Sequence, residues 1–153
     1  MKKVILLTVS MVMVLLLLTG CSNKVSRELD FGGEKVKVTV DLKGGWDADW
    51  GNSVVYLYDQ KNEEGVEAVG WGVYFDAAEV PERVEEITNT YAEDYTNVQQ
   101  FEDGSIKWWD AGDEYASGYY LKRVSDKSFI MIVCQNPDEA EAFFDRFDAE
   151  LVK

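Results

Sequence analysis

The sequence predicts an α+β fold: a single antiparallel β-sheet in β-β-β-α-β-β-β-α order, flanked by two amphipathic helices. Three observations carry this. Alternating or continuous apolar runs separated by short turn-rich segments read as antiparallel strands. Two stretches place apolar residues at helical spacing behind a proline start signal. Beyond an apolar leader roughly 120 residues remain, enough for one domain with its own core.

From Lys35, KVKVTVDL alternates strictly, with Val36, Val38, Val40 and Leu42 on one face and Lys37, Thr39 and Asp41 on the other. GGWDADWGN then reads as a loop with turn formers at both ends, SVVYLYD as a second strand and NEEG as a hairpin connection. In VEAVGWGVYF, the third strand, Val69, Trp71, Val73 and Phe75 share a face opposite Ala68, Gly70 and Gly72. Small residues on one face let another element approach closely. The first helix is read in AEVPERVEEITNTYAEDY, where Pro81 suits the first turn and Val80, Val84, Ile87 and Tyr91 recur at helical spacing. FEDGSIKWWDAG reads as a strand with Asp103-Gly104 as a turn or bulge signal, and YASGYYLKRV pairs with SFIMIVC across SDK. The last element, NPDEAEAFFDRFDAEL, opens on a capping signal at Asn136, Pro137 and Glu139, and its apolar stripe is Ala140, Phe143, Phe144, Phe147 and Leu151.

This order, over roughly Val36 to Leu151, is similar to the α/β/α sandwich of the PsbP-like superfamily. The resemblance is one of element order. It implies a non-catalytic binding or assembly role, and no functional residue is carried over.

The chain opens with Lys2 and Lys3 and an apolar run from Val4 to Leu18. That run is shorter than the ~20 residues that span a bilayer, and it describes an export signal. LTGC (Leu18, Thr19, Gly20, Cys21) resembles the lipobox of bacterial lipoproteins. The resemblance implies cleavage before Cys21 and a diacylglycerol on its sulfur, with further acylation (palmitate or similar) at the new amino terminus. The expected organisation is a signal peptide over 1–20, the lipidated cysteine and a flexible tether over 21–34, and a single α+β domain over 35–153. Two acyl chains anchor stably where one is marginal. The expected location is therefore the extracytoplasmic face of a cell membrane, or the periplasmic face of the outer membrane where the envelope has two.

The whole chain carries 15 basic and 29 acidic residues, a net charge of −14, and loses two of its lysines with the signal. Such a surface repels nucleic acid, so the expected partners are the membrane, through the lipid, and an envelope protein or glycan. There is no histidine, which removes Ser-His-Asp and Cys-His catalysis and the commonest metal ligand. If Cys21 is lipidated, Cys134 has no disulfide partner and reads as a small core residue in SFIMIVC. No catalytic residue, cofactor or metal is expected. A glycan hydrolase using a carboxylate pair and a structural subunit of an envelope assembly are the alternatives. For the latter, Trp108 and Trp109 point to opposite faces of one strand, so that one is core and the other is covered by a helix or exposed to a partner.

The candidate contact site is Trp46, Trp50, Asp47 and Asp49, with Tyr56, Tyr58 and Trp71 as neighbours. The tryptophans either stack on a ligand or fold back over a sheet end. Asp47, Asp49 and Asn52 with Gly51 resemble the start of a calcium loop, but the twelfth position is Tyr58, where an EF-hand needs glutamate.

Overall fold

The computed structural model describes residues 23–59, 68–90, 94–110 and 117–153. Cys21 and the leader, and the NEEG connection, lie outside them. The ten strands are β1 (Lys24–Phe31), β2 (Glu34–Asp41), β3 (Trp46–Trp50), β4 (Val54–Asp59), β5 (Gly70–Asp76), β6 (Tyr95–Gln100), β7 (Ile106–Asp110), β8 (Gly118–Arg123), β9 (Ser128–Cys134) and β10 (Phe147–Leu151). Helix α1 (Val80–Glu85) follows β5, with a 3-10 turn before it and a π turn after it. Helix α2 (Ala140–Phe144) precedes β10.

The single sheet with two flanking amphipathic helices is not what forms. The chain is mostly β, with two short helices and two antiparallel sheets: three strands ordered β1-β2-β10, and seven ordered β3-β4-β5-β9-β8-β7-β6. Three segments account for the difference. Residues 24–31, assigned to the tether, pair with β2 along their whole length. Their first five residues are exposed, so the apolar signal is confined to Leu29 and Phe31. The second long helix stops at Phe144, because FDAEL also alternates with period two and β2 offers it a ladder from Phe147↔Val40 to Leu151↔Val36. GGWDADWGN is not a loop, since its centre is β3, paired with β4 from Trp46↔Asp59 to Trp50↔Val55.

The small sheet lies on one face of the large one. Leu29, Phe31, Val36, Val38 and Val40 meet Val55, Leu57, Ile130, Ile132 and Cys134, with Phe143, Phe144 and Phe147 of the α2–β10 segment completing the layer. Fully burying a side chain of this size contributes about 1.5–3 kcal/mol. Gly70 and Gly72 admit that segment: a methyl group on Gly72 would stand 2.7 Å from the Phe147 ring, and one on Gly70 would meet Phe143 at 2.5 Å. On the opposite face α1 covers the β7-β8-β9 half. Val80, Val84 and Ile87 pack there on Ile106, Trp108, Leu121 and Phe129.

One polar tie joins the two sheets, and a second closes the β2–β3 connection onto the start of β10. The Glu34 carboxylate on β2 accepts from Ser125 Oγ at 2.6 Å and from buried Ser128 Oγ at 2.8 Å, across the β8–β9 turn. Arg146, between α2 and β10, donates to the carbonyls of Asp41 and Lys43 at 2.8 and 3.0 Å.

Candidate functional site

Strand alternation divides the WDADW segment between two faces. Trp46, Ala48 and Trp50 share the face of Leu57 and Val55 and pack against the core between the sheets. The Trp46 ring lies 5.7 Å from that of Phe143, under the Arg146 guanidinium at 4.4 Å. Trp50 lies beneath Arg27 at 5.7 Å, beside a groove of about 560 Å³ whose lining includes Asp30, Lys35 and Asn52. Both rings are thus half-buried at the open end of the sandwich.

Asp47 and Asp49 are exposed and point the other way. Their neighbours across the strand pairing are Tyr58 and Tyr56. Tyr56 pairs in turn with Trp71, Trp71 with Val133, Val133 with Tyr119, and Tyr119 with Trp108. One row of large side chains therefore crosses five strands. At its β7-β8 end Trp108 stacks on Tyr119, with ring centroids 5.0 Å apart and planes 4° from parallel, in the cluster that α1 completes. At its β4 end Tyr56 is 38% exposed, with Tyr58 and Trp71 half-buried. The structure thus brings Asp47, Asp49, Tyr56, Tyr58 and Trp71 together on one ledge and leaves Trp46 and Trp50 on the far side of the sheet.

The aspartates also act on their own strand. Asp47 Oδ1 accepts from Ala48 N at 2.8 Å and Asp49 Oδ1 from Trp50 N at 2.9 Å. Because Gly51 N donates to Val54 O, odd-numbered residues of β3 face β4 and even-numbered ones face the free edge. The carboxylates therefore occupy outward-facing N–H groups of an edge strand. The strict W-D-A-D-W alternation was the available signal for this, masked by the flanking glycines.

Trp108 and Trp109 do point to opposite faces, and both are covered, at 3% and 9% exposure. The Trp109 ring meets Phe144 edge-on and its indole N–H donates to the Pro137 carbonyl at 3.2 Å. Neither is left for a partner. Sequence reasoning missed Arg146, whose role depends on β10 and the β2–β3 turn meeting in space.

Among the described residues, no three His, Cys, Asp or Glu side chains gather in a metal-binding group. Two described carboxyls depart from the ordinary range, and both go down. Asp30 is lowered by the Gly33 backbone N–H and by Lys35, and Glu34 by the Ser125 and Ser128 hydroxyls. Cys134 is buried, its thiol raised by burial and donating to the Asn136 carbonyl at 3.2 Å. No described helix is long and apolar enough to cross a membrane.

Compared with known proteins, the chain matches no protein-family model, no curated protein and no solved structure.

Proposed function

We propose that the chain is a membrane-anchored extracytoplasmic lipoprotein whose β-sandwich is a non-catalytic binding or adaptor module. The observation that carries the reading is the ledge on β3, β4 and β5, where Tyr56, Tyr58 and Trp71 sit beside Asp47 and Asp49. Flat aromatic faces flanked by carboxylates suit a cationic, partly apolar surface. The net charge of −14 steers such a partner toward the domain. The favoured occupant is therefore an envelope protein presenting Lys or Arg. A neutral glycan is the competing ligand. The LTGC segment supports anchoring through Cys21.

A carboxylate-pair hydrolase draws less support, because its general acid needs a raised pKa and both displaced carboxyls described here are lowered. The reading is tested by capturing the anchored chain from its own membranes, comparing wild type with Trp71→Ala and with Asp47→Asn/Asp49→Asn. A protein partner lost in both variants, and released by salt, supports it. A ligand retained by both variants refutes the ledge, and a partner whose binding ignores salt refutes the charge argument. For the anchor, Cys21→Ala should abolish incorporation of labelled palmitate and release the chain from membranes. Unchanged labelling would refute lipidation at Cys21.

A further inference from the structure

Two antiparallel sheets have four free edges, formed here by β1, β3, β6 and β10, and an unguarded edge is a template for another strand. Three of the four carry a guard. On β3, the outward N–H groups of Trp46, Ala48 and Trp50 go to Leu42 O, Asp47 Oδ1 and Asp49 Oδ1. On β6, the ladder breaks between Thr96 and Gln99, where Asn97 adopts φ +53°. On β10, Asp41 N donates to Arg146 O, which turns Ala149 outward, and Ala149 N is taken by Asp148 Oδ1 at 3.0 Å.

β1 differs. Leu42 N donates to Asn23 O, so odd-numbered residues of β1 face β2 and Ser26, Glu28 and Asp30 face outward. Asp30 N is taken by Asn52 O at 3.0 Å, which closes the edge at that point. The outward backbone groups of Ser26 and Glu28 have no partner among the described residues, and Val25 beside them is 40% exposed.

We propose that the β1 edge pairs with the β1 edge of a second copy of this chain, antiparallel and centred on Ser26, joining two small sheets into one. Charge selects that occupant and register. Centred on Ser26, the pairing sets Lys24 opposite the second copy's Glu28, and Glu28 opposite the second copy's Lys24, two opposite-charge pairs on one sheet face. Centring on Lys24 or on Glu28 instead puts like charges face to face. A two-fold axis through Ser26 makes the contact closed and self-complementary. This interface is separate from the aromatic ledge and independent of what that ledge binds.

The test uses the purified chain with Cys21→Ser, leaving buried Cys134 as its remaining native thiol. Sedimentation from low to high micromolar concentration should show a monomer–dimer equilibrium. Ser26→Pro removes an N–H that β2 does not use and should leave a folded monomer. Glu28→Lys should weaken the dimer at least tenfold, and Lys24→Glu/Glu28→Lys should restore it, whether or not the proline variant folds. At a hydrogen-bonded antiparallel pair the two Cα atoms lie about 5.5 Å apart, within disulfide reach. Ser26→Cys should therefore cross-link under mild oxidation, and Val98→Cys, exposed on β6, should not. A chain that stays monomeric throughout overturns the proposal. A dimer untouched by the Glu28→Lys and charge-swap variants does so as well.

Discussion

Gly72→Ala probes how closely the two sheets are fitted. A methyl group at Gly72 would sit 2.7 Å from Cε1 of Phe147 and 3.0 Å from Cδ1 of Ile130, where relaxed carbon–carbon contact needs about 3.5–4.0 Å. The Phe147 ring must then retreat by almost an ångström. It has little freedom to do so, because Phe147 is 4% exposed and its backbone begins the β10–β2 ladder opposite Val40. Overpacking of this kind costs about 1–3 kcal/mol, which at an ordinary slope moves a urea midpoint down by roughly 1 M. Phe147→Leu alone costs about 1.5 kcal/mol by lost burial. It also clears the space the methyl group needs, so the double variant should be more stable than the sum of the two losses implies, by at least about 0.5 kcal/mol. The assay is equilibrium urea unfolding of all four chains. A Gly72→Ala loss below about 0.5 kcal/mol, or strict additivity, would refute the close approach of β10 to the large sheet.

Arg146→Ala removes a guanidinium from the Trp46 ring and from two carbonyls of the β2–β3 turn. It should cost about 2 kcal/mol and red-shift the tryptophan emission, with Arg146→Lys recovering only part; an unchanged stability contradicts the tie. Asp30 and Glu34 are ionised more readily folded than unfolded. Their stabilisation is present above the unfolded carboxyl range and is lost as pH falls through the lowered folded values. Glu34→Gln should accordingly lower stability most at neutral pH and converge on wild type as pH falls, flattening the acid side of the stability–pH profile; a parallel profile contradicts the Glu34–Ser125–Ser128 tie. Asp47→Ala/Asp49→Ala frees the Ala48 and Trp50 N–H groups at an edge. Light scattering should show association through the β3 edge into species larger than the β1-paired dimer, and its absence refutes the guarding role.

The parts of the fold legible in the sequence are those where local pattern and tertiary environment agree. The alternation of KVKVTV is β2, half-buried against the core, and the unbroken SFIMIVC is β9, central in the large sheet and buried on both faces. The glycines of the third strand face the core, where α2 and β10 come close. Illegible were elements whose partners decide them. FDAEL fits a helix as well as a strand until β2 is present, and KVSREL is too polar to betray an edge strand. The candidate site was read as one cluster and is two. Trp46 and Trp50 serve the core while Asp47 and Asp49 join Tyr56, Tyr58 and Trp71, because a five-residue strand sends alternate side chains to opposite faces.

The proposed contact surface is the β3–β5 ledge. Its most direct test places a photo-cross-linking residue at Tyr56 or, as control, at Val98, exposed on β6 of the same sheet. After irradiation in intact cells, position 56 should yield one discrete adduct that disappears with Trp71→Ala, and position 98 should yield none. Equal labelling at the two positions, or an adduct at 56 indifferent to Trp71, would contradict the account.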